Sequence, residues 1–192
     1  LNVLDEEGII FDEPKLKIMG IEAVKSSTPE VCRGKIKEAI KMIMGAEQKD
    51  LHKLVKDFKE EFFNLPAEAI SFPRSCNNLN KYQSSSSVFI KGTPIHVKGA
   101  LIYNNQIKSL GLQDKYPLIQ EGDKIKFIKL LEANPFKFDV ISYVTKLPKE
   151  FKLKNYVDYE LQFQKTFLDP ITFILQPIGW TPEPTASLES FF

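Results

Sequence analysis

Hydrophobic residues recur at the spacing of an α-helix in two successive stretches of the chain, with charged residues between them. This pattern predicts two amphipathic helices, and the short link between them favours an antiparallel pair. Thr28 is expected to cap the first helix with Pro29 at its first helical position, and Gly45 to supply a left-handed stop. The apolar positions are Cys32, Ile36, Ala39, Ile40 and Ile43, then Leu51, Leu54, Val55, Phe58, Phe62 and Leu65.

Other stretches have the pattern of strands. Residues 1–13 place two apolar runs around a Glu-Glu-Gly turn and predict a hairpin, and residues 15–19 alternate as a half-exposed strand does. Residues 124–127 alternate again, and residues 140–144 are rich in β-branched and aromatic side chains. The last two segments predict a small antiparallel sheet.

Two further helices are expected. Thr93-Pro94 repeats the cap-and-proline signal of the first helix, with Gly111 as the stop. Near the C-terminus, aromatic residues return to helical spacing, and Asp169-Pro170 predicts the start of one more short helix. The chain therefore has the pattern of an α+β protein, with helices around a small antiparallel sheet, a terminal hairpin before them and a flexible tail after them. The aromatic positions are Tyr156, Tyr159, Phe163 and Phe167.

The end of the chain combines a proline-spaced segment with exposed apolar residues. Residues 181–185 read Thr-Pro-Glu-Pro-Thr, which predicts a linker that does not pack on the core. Leu188, Phe191 and Phe192 stand at i, i+3 and i+4, so one helical turn would place them on one side. They either fold back on the core or dock on a partner, and the linker favours docking.

Charge is segregated along the chain, although 26 Lys and Arg nearly balance 25 Asp and Glu. Residues 69–113 form a run of 45 residues without an acid that contains five of the bases. Such a segment makes a local positive field suited to phosphates, unless it is simply a solvated loop. Its Gln83–Ser87 run is expected to form a mobile tip, whereas His96 and Lys98 near a helix start favour an anion.

Composition excludes several classes of function. At 192 residues with 43% hydrophobic residues, the chain can bury one sizeable core. It has neither a long apolar window nor a signal-peptide pattern, so we expect no membrane span and no secretion. Cys32 and Cys76 are expected to be free thiols in a reducing compartment, and His52 to be solvated. No metal spacing or catalytic constellation can be assembled.

Several blocks resemble one known family. Residues 14–29 resemble the segment that joins palm to thumb in family B DNA polymerases of T-even-like bacteriophages. Further blocks occur in the order that the thumb of that family would have, so the resemblance covers nearly the whole chain. These are Asn77–Tyr82, Pro94–Gly99, Asp158-Tyr159, Gln164–Phe167 and Ala186–Leu188.

The resemblance implies that residues 1–25 are the last strands of a palm, residues 26–180 a thumb, and residues 181–192 a linker with a clamp-binding peptide. It implies primer–template duplex DNA, a sliding clamp and the rest of the polymerase as partners, in the cytoplasm of an infected bacterium. The clamp peptide would use Leu188, Phe191 and Phe192. The implied DNA contacts are Lys25, Ser26, Asn78, Lys81, Tyr82, Lys91, His96, Lys98 and Lys165.

The chain departs from that family in three respects. Residues 84–87 replace an expected Gly/Pro-rich loop, and Asp169 stands where a second base would be natural. The palm carboxylates that would hold Mg²⁺ in the parent polymerase are absent, so this segment is expected to bind no cofactor and not to polymerise alone. Because the chain begins without Met inside an apparent strand, it reads as a piece of a longer protein. A freestanding DNA- and clamp-binding adaptor and a small enzyme of unknown class are the alternatives.

Overall fold

The computed structural model describes Ile18, Ala23 and residues 25–184. The expected hairpin of residues 1–13 and the apolar tail of residues 188–192 lie outside the described residues. Helices and a small antiparallel sheet make up the described part, which confirms the expected mixture of helix and strand. None of the described helices is both long enough and apolar enough to cross a membrane.

The two N-terminal helices are α1 (Glu30–Ile43) and α2 (Gln48–Phe63), and their predicted apolar faces are buried. The predicted start of α1 is shifted by one residue. Pro29 occupies the N-cap position without a side-chain cap hydrogen bond, and the amide of Thr28 closes a turn onto the carbonyl of Lys25. The predicted left-handed stop at Gly45 is also wrong, since that residue lacks a positive φ.

A short helix, α3 (Ala67–Ile70), leads into a three-stranded antiparallel sheet. The strands are β1 (Phe72–Ser75), β2 (Lys124–Lys129) and β3 (Val140–Tyr143) in the order β1-β2-β3, with Phe127 opposite both Phe72 and Ser142. β2 and β3 confirm the predicted sheet. β1 was not predicted, since its sequence Phe-Pro-Arg-Ser carries no alternation and contains a proline that suits only an edge strand.

Two helices connect β1 to β2. A single turn, α4 (Leu79–Tyr82), is followed by α5 (Ile95–Ser109), which packs directly on β3. As at α1, the proline of the cap signal, Pro94, is itself the N-cap, and Thr93 donates its hydroxyl to the carbonyl of Ile90. Gly111 has a φ of 65° just beyond the helix, which confirms its predicted role as the stop.

Three of the four predicted aromatic positions, Tyr159, Phe163 and Phe167, lie on one continuous helical run, whereas Tyr156 ends a separate 3-10 turn. The run comprises α6 (Tyr159–Phe163), a π-helical turn (Gln164–Leu168) and α7 (Asp169–Leu175). α7 begins at Asp169-Pro170, as expected, but it continues the helical run without a break, since Leu168 already has helical φ and ψ. Pro170 has no N–H to donate to the carbonyl four residues earlier. Just before it, the amide of Asp169 donates to the carbonyl of Gln164, five residues earlier, which is the hydrogen-bond spacing of a π-helix. The helix is therefore wider in the turn that precedes the proline.

An aromatic cluster joins this run to α2. Phe58 lies 4.8 Å from Phe167 and 5.8 Å from Phe163 between ring centroids, and Phe62 lies 5.1 Å from Phe163. All four rings are fully buried. The cluster fixes α2 against the C-terminal helical run within a single hydrophobic core that also includes α1, the sheet and α5.

The start of the proline-spaced segment packs on α2. Gln48 donates its amide to the hydroxyl of Thr181 over 3.0 Å, and the imidazole Nε2 of His52 lies 3.0 Å from the carbonyl oxygen of Thr181. His52 is thus half-buried and hydrogen-bonded, contrary to the expectation that it is solvated. The expectation that residues 181–185 form an unpacked linker is wrong for Thr181, which packs on α2.

Candidate nucleic-acid interface

β1 and the turn before α1 lie against each other. The Arg74 guanidinium on β1 donates from Nη1 to the carbonyl of Ser27 over 3.1 Å. Burial lowers the pKa of Arg74 from its usual value, but the reference value is so high that the side chain stays charged at neutral pH. Lys25 and Ser26, the implied primer-side contacts, are exposed in this same turn.

The implied contacts at Asn78, Lys81 and Tyr82 come from α4 and its cap. Asn78 has a φ of 63°, and the amides of Asn78 and Leu79 donate to the Glu121 carboxylate over 2.5 and 2.8 Å. A carboxylate from another part of the chain therefore occupies the amides that an anion would use at this helix start. The Asn78 side chain remains exposed, and so does Lys81, whose ammonium lies 5.4 Å from the Tyr82 ring centroid.

The serine run after α4 forms a closed loop. Ile90 donates its amide to the carbonyl of Tyr82 over 3.1 Å, and Gln83 and Phe89 form an antiparallel bridge. Inside the loop, the Ser84 hydroxyl accepts from the amides of residues 86 and 87. Lys91 is exposed just after it.

A polar cleft separates this loop from the middle of α5. Its volume is about 380 Å³, and Asn104, Asn105 and Lys108 line the α5 side. Lys108 is exposed and belongs to the acid-free segment. The amino-acid sequence does not indicate that Lys108 lies across a cleft from the serine loop. The cleft therefore adds a cation and amides to the acid-free segment that also carries the implied contacts at Lys81 and Lys91.

His96 is held beside the sheet. Its ring lies 6.3 Å from the Phe127 centroid and is half-buried. Burial, together with the positive charge of Arg74, lowers the pKa of His96 below its usual value. The imidazole is thus neutral at pH 7, and any phosphate contact would be a hydrogen bond without a full positive charge.

Lys98 is engaged in an ion pair. The Lys98 ammonium lies 2.6 Å from the Asp139 carboxylate and 5.2 Å from the Phe89 ring centroid. The ammonium of Lys129 lies 3.5 Å from the same carboxylate. Burial raises the pKa of the Asp139 carboxyl, but the hydrogen bond from Lys98 and the two positive charges outweigh it and hold the pKa below its usual range. Lys98 therefore adds less positive potential than its place in the sequence predicts.

Lys165 lies on the π-helical turn, which packs against α1, α6 and α7. It forms an ion pair of 2.8 Å with Asp169, and Gln164 donates to the other oxygen of that carboxylate. These two hydrogen bonds lower the pKa of the Asp169 carboxyl, so it is ionised at neutral pH. The sequence departure at Asp169 thus partly compensates the charge of Lys165.

Six of the nine implied residues belong to one strip, the acid-free segment of residues 69–113 that contains β1, α4 and α5. Within the described part of the chain, Lys81, Lys91 and Lys108 of this strip form no ion pair. Two carboxylates that sequence reasoning missed, Glu121 and Asp139, approach the strip from distant parts of the chain.

No metal site accompanies the strip: the described residues contain no group of three His, Cys, Asp or Glu that could hold a metal ion. Cys32 and Cys76 are buried free thiols, as predicted, and burial raises their pKa values to about 12 and about 11. Neither thiol is a ready nucleophile at neutral pH. The exposed or half-exposed side chains of the strip offer cations, amides and an aromatic ring at Asn78, Lys81, Tyr82, Lys91 and Lys108.

The sequence of the whole chain matches two known proteins. It is 32% identical over 196 residues to a DNA-directed DNA polymerase of Enterobacteria phage T4 and 36% identical over 197 residues to one of Escherichia phage RB69. Both matches cover 100% of this chain and 21% of the polymerase, so the chain spans about a fifth of the length of either relative. No protein-family model matches the chain. The resemblance to T-even-like phage polymerases is thereby confirmed along its full length.

Proposed function

We propose that this chain, related over its whole length to phage DNA-directed DNA polymerases, is the thumb segment of a family B replicative polymerase that grips primer–template duplex DNA. The observation that carries the proposal is the set of exposed lysines Lys81, Lys91 and Lys108 on the acid-free strip of a chain with this relationship. Cations and amides on a duplex backbone give affinity without reading sequence, as a translocating polymerase requires.

The polymerase chemistry itself would lie elsewhere in the parent protein. Mg²⁺ in the parent would be held by palm carboxylates, and this segment would contribute positioning of the duplex. Its implied contacts begin with Lys25 and Ser26 at the turn before α1 and continue along the strip. The segment would act in the cytoplasm of an infected bacterium, where the phage genome is copied.

The salt dependence of duplex binding tests the proposal. The 192-residue chain is titrated against a fluorescein-labelled primer–template, and anisotropy is followed at several salt concentrations between 50 and 200 mM. With about three phosphates neutralised by the lysines of the strip, affinity should fall roughly 40-fold over this range. Affinity that does not change with salt would overturn the proposal.

Lys81→Ala should weaken duplex binding by roughly 1 kcal/mol, about fivefold, because it removes one charge-assisted phosphate contact. It should also reduce the slope of log affinity against log salt by about one. Anisotropy titration of the same duplex measures both quantities. The control is Lys56→Ala, which removes an exposed lysine on α2. Equal losses from Lys56 and Lys81 would mean that binding depends only on overall charge.

A clamp contact is the second part of the proposal. Leu188, Phe191 and Phe192 lie outside the described residues, and their spacing would present all three to an apolar pocket of a sliding clamp. A second weak attachment would raise the local concentration of the polymerase at the primer end.

Phe191→Ala should weaken binding to the sliding clamp of the same phage by roughly 2 kcal/mol, because buried aromatic anchors carry most of a small interface. Surface plasmon resonance on immobilised clamp measures this loss. Duplex binding should stay unchanged in the same variant. Loss of both activities together would show that the tail belongs to the fold of the segment. Palm motifs encoded upstream of Leu1 would support the polymerase thumb, whereas a start codon just before Leu1 with no polymerase gene nearby would favour the freestanding adaptor.

A further inference from the structure

A second basic surface lies at the end of α2, apart from the acid-free segment. A cleft of about 910 Å³ opens between the link from α2 to α3 and residues 146–157. Aliphatic and proline side chains form much of its lining, and Phe63 at its edge is 40% exposed. The apolar lining residues are Leu65, Pro66, Leu147, Pro148, Leu153 and Val157.

Five lysines line this cleft: Lys115, Lys146, Lys149, Lys152 and Lys154. All five are exposed. Within the described part of the chain, only Lys115 forms an ion pair, with Glu150. The four others place positive charges around an apolar floor, and none of the four is paired with a carboxylate of the described residues.

The acids at the cleft are already engaged. Glu150 accepts from the ammonium of Lys115 and, over 2.7 Å, from the Tyr116 hydroxyl, and these hydrogen bonds lower its pKa to about 2. Glu68 accepts from the amide of Leu147 over 3.3 Å. Two carboxylates thus face five ammonium groups, which leaves the cleft strongly positive.

We propose that this cleft docks an acidic peptide segment of a partner protein, with apolar side chains inserted between Pro66 and Pro148 and carboxylates against the surrounding lysines. Charge complementarity selects an acidic occupant. The aliphatic floor selects an apolar anchor in preference to nucleotide bases, which need flat aromatic faces or hydrogen-bonding partners. The nearby tyrosine hydroxyls are also committed, since Tyr116 donates to Glu150 and Tyr159 donates to the carbonyl of Leu65.

The probe is a fluorescein-labelled twelve-residue peptide in which Asp and Glu alternate with Leu and Phe, titrated into the 192-residue chain. Two altered peptides report the two parts of the recognition: one carries Asn and Gln in place of the acids, and one carries Gly in place of Leu and Phe. Each is expected to bind at least tenfold more weakly than the probe. If the glycine peptide binds as well as the probe, the cleft is only a positive surface and the proposal is overturned.

The site is located by charge reversal. Lys149→Glu with Lys154→Glu should weaken binding of the probe peptide at least tenfold, whereas Lys56→Glu on α2 should change it less than twofold. Equal losses from the double variant and from Lys56→Glu would overturn the assignment to the cleft. Labelled oligo(dT) of twelve nucleotides distinguishes the other class of partner: if it binds more tightly than the probe and is lost in the same double variant, the cleft is a nucleic-acid site instead. Affinity for primer–template duplex should be unchanged by the double variant.

Discussion

Replacing Phe163 by alanine is expected to lower the free energy of unfolding by about 4 kcal/mol, the typical cost of removing a buried aromatic side chain. Phe163 is fully buried and lies 5.1 Å from Phe62, 5.4 Å from Phe167 and 5.8 Å from Phe58 between ring centroids. Its loss leaves a cavity that these rings, held by two different helical segments, can only partly fill. Urea unfolding followed by circular dichroism measures the change.

Phe173→Ala is the matched control. It removes the same side chain from α7, ten residues after Phe163, at a site where the ring is 71% exposed. The control should change stability by less than about 0.5 kcal/mol. Similar losses from the two substitutions would mean that the aromatic cluster does not join α2 to the C-terminal helical run.

This cluster bears on function through Lys165. The π-helical turn that carries Lys165 also carries Phe167, which packs on Phe58. The position of an implied DNA contact therefore depends on the core between α2 and the C-terminal run. A protein that loses this packing should lose the Lys165 contact before it loses those of the strip from β1 to α5.

The parts of the fold that could be predicted are those with a local signal. α1, α2 and α5 have apolar faces at helical spacing, and β2 and β3 have alternating or β-rich sequence. β1 depends on pairing with β2, about fifty residues later, and nothing within its four residues indicates a strand. The π-helical turn likewise could not be predicted. The local pattern at Asp169-Pro170 indicates a new helix start, whereas in the structure the helical run continues through the proline.

The candidate site was predictable to the same extent. Lys81 and Lys91 are exposed within the acid-free segment, as a basic surface requires. The sequence could not show that Asp139 would pair with Lys98, 41 residues away, or that Glu121 would occupy the amides at Asn78. Acids absent from a segment can still reach it through the fold, so a run without acids overestimates the local positive field.

The lysine-lined cleft did have a signal in the sequence. Residues 146–154 contain four lysines and a single acid, Glu150, and apolar residues stand between them. The overall balance of 26 bases and 25 acids hides this cluster as well as the acid-free segment. Only the fold shows that residues 146–154 lie opposite Leu65 and Pro66, which follow α2, and that the two segments line one cleft.

Replacing Gly99 by valine is expected to destabilise the protein by about 3 kcal/mol, the upper part of the usual range for an overpacked core. Gly99 lies where α5 crosses β3. A Cβ at this position would lie 2.4 Å from the Ser142 hydroxyl oxygen, 2.8 Å from the Ser142 amide nitrogen and 3.0 Å from the carbonyl carbon of Ile141. Two of these atoms belong to the backbone of β3, which cannot rotate away as a side chain can, so α5 would have to move away from the sheet.

The matched control is Gly34→Val in α1, where a Cβ would meet nothing within 4 Å. Its effect should be within about 0.5 kcal/mol, since valine and glycine differ little in helix propensity. Urea unfolding of both variants gives the difference. Adding Ser142→Gly to Gly99→Val removes the hydroxyl clash and the hydroxyl's bond to the carbonyl of His96, but leaves both backbone atoms in place. Stability should therefore stay low in the double variant, and full recovery would show that side chains, and not the backbone, set the distance of α5 from β3.

Because α5 begins at the cap beside Lys91 and carries Lys98 and Lys108, displacing it should also weaken duplex binding, in proportion to the fraction of molecules whose strip is disrupted.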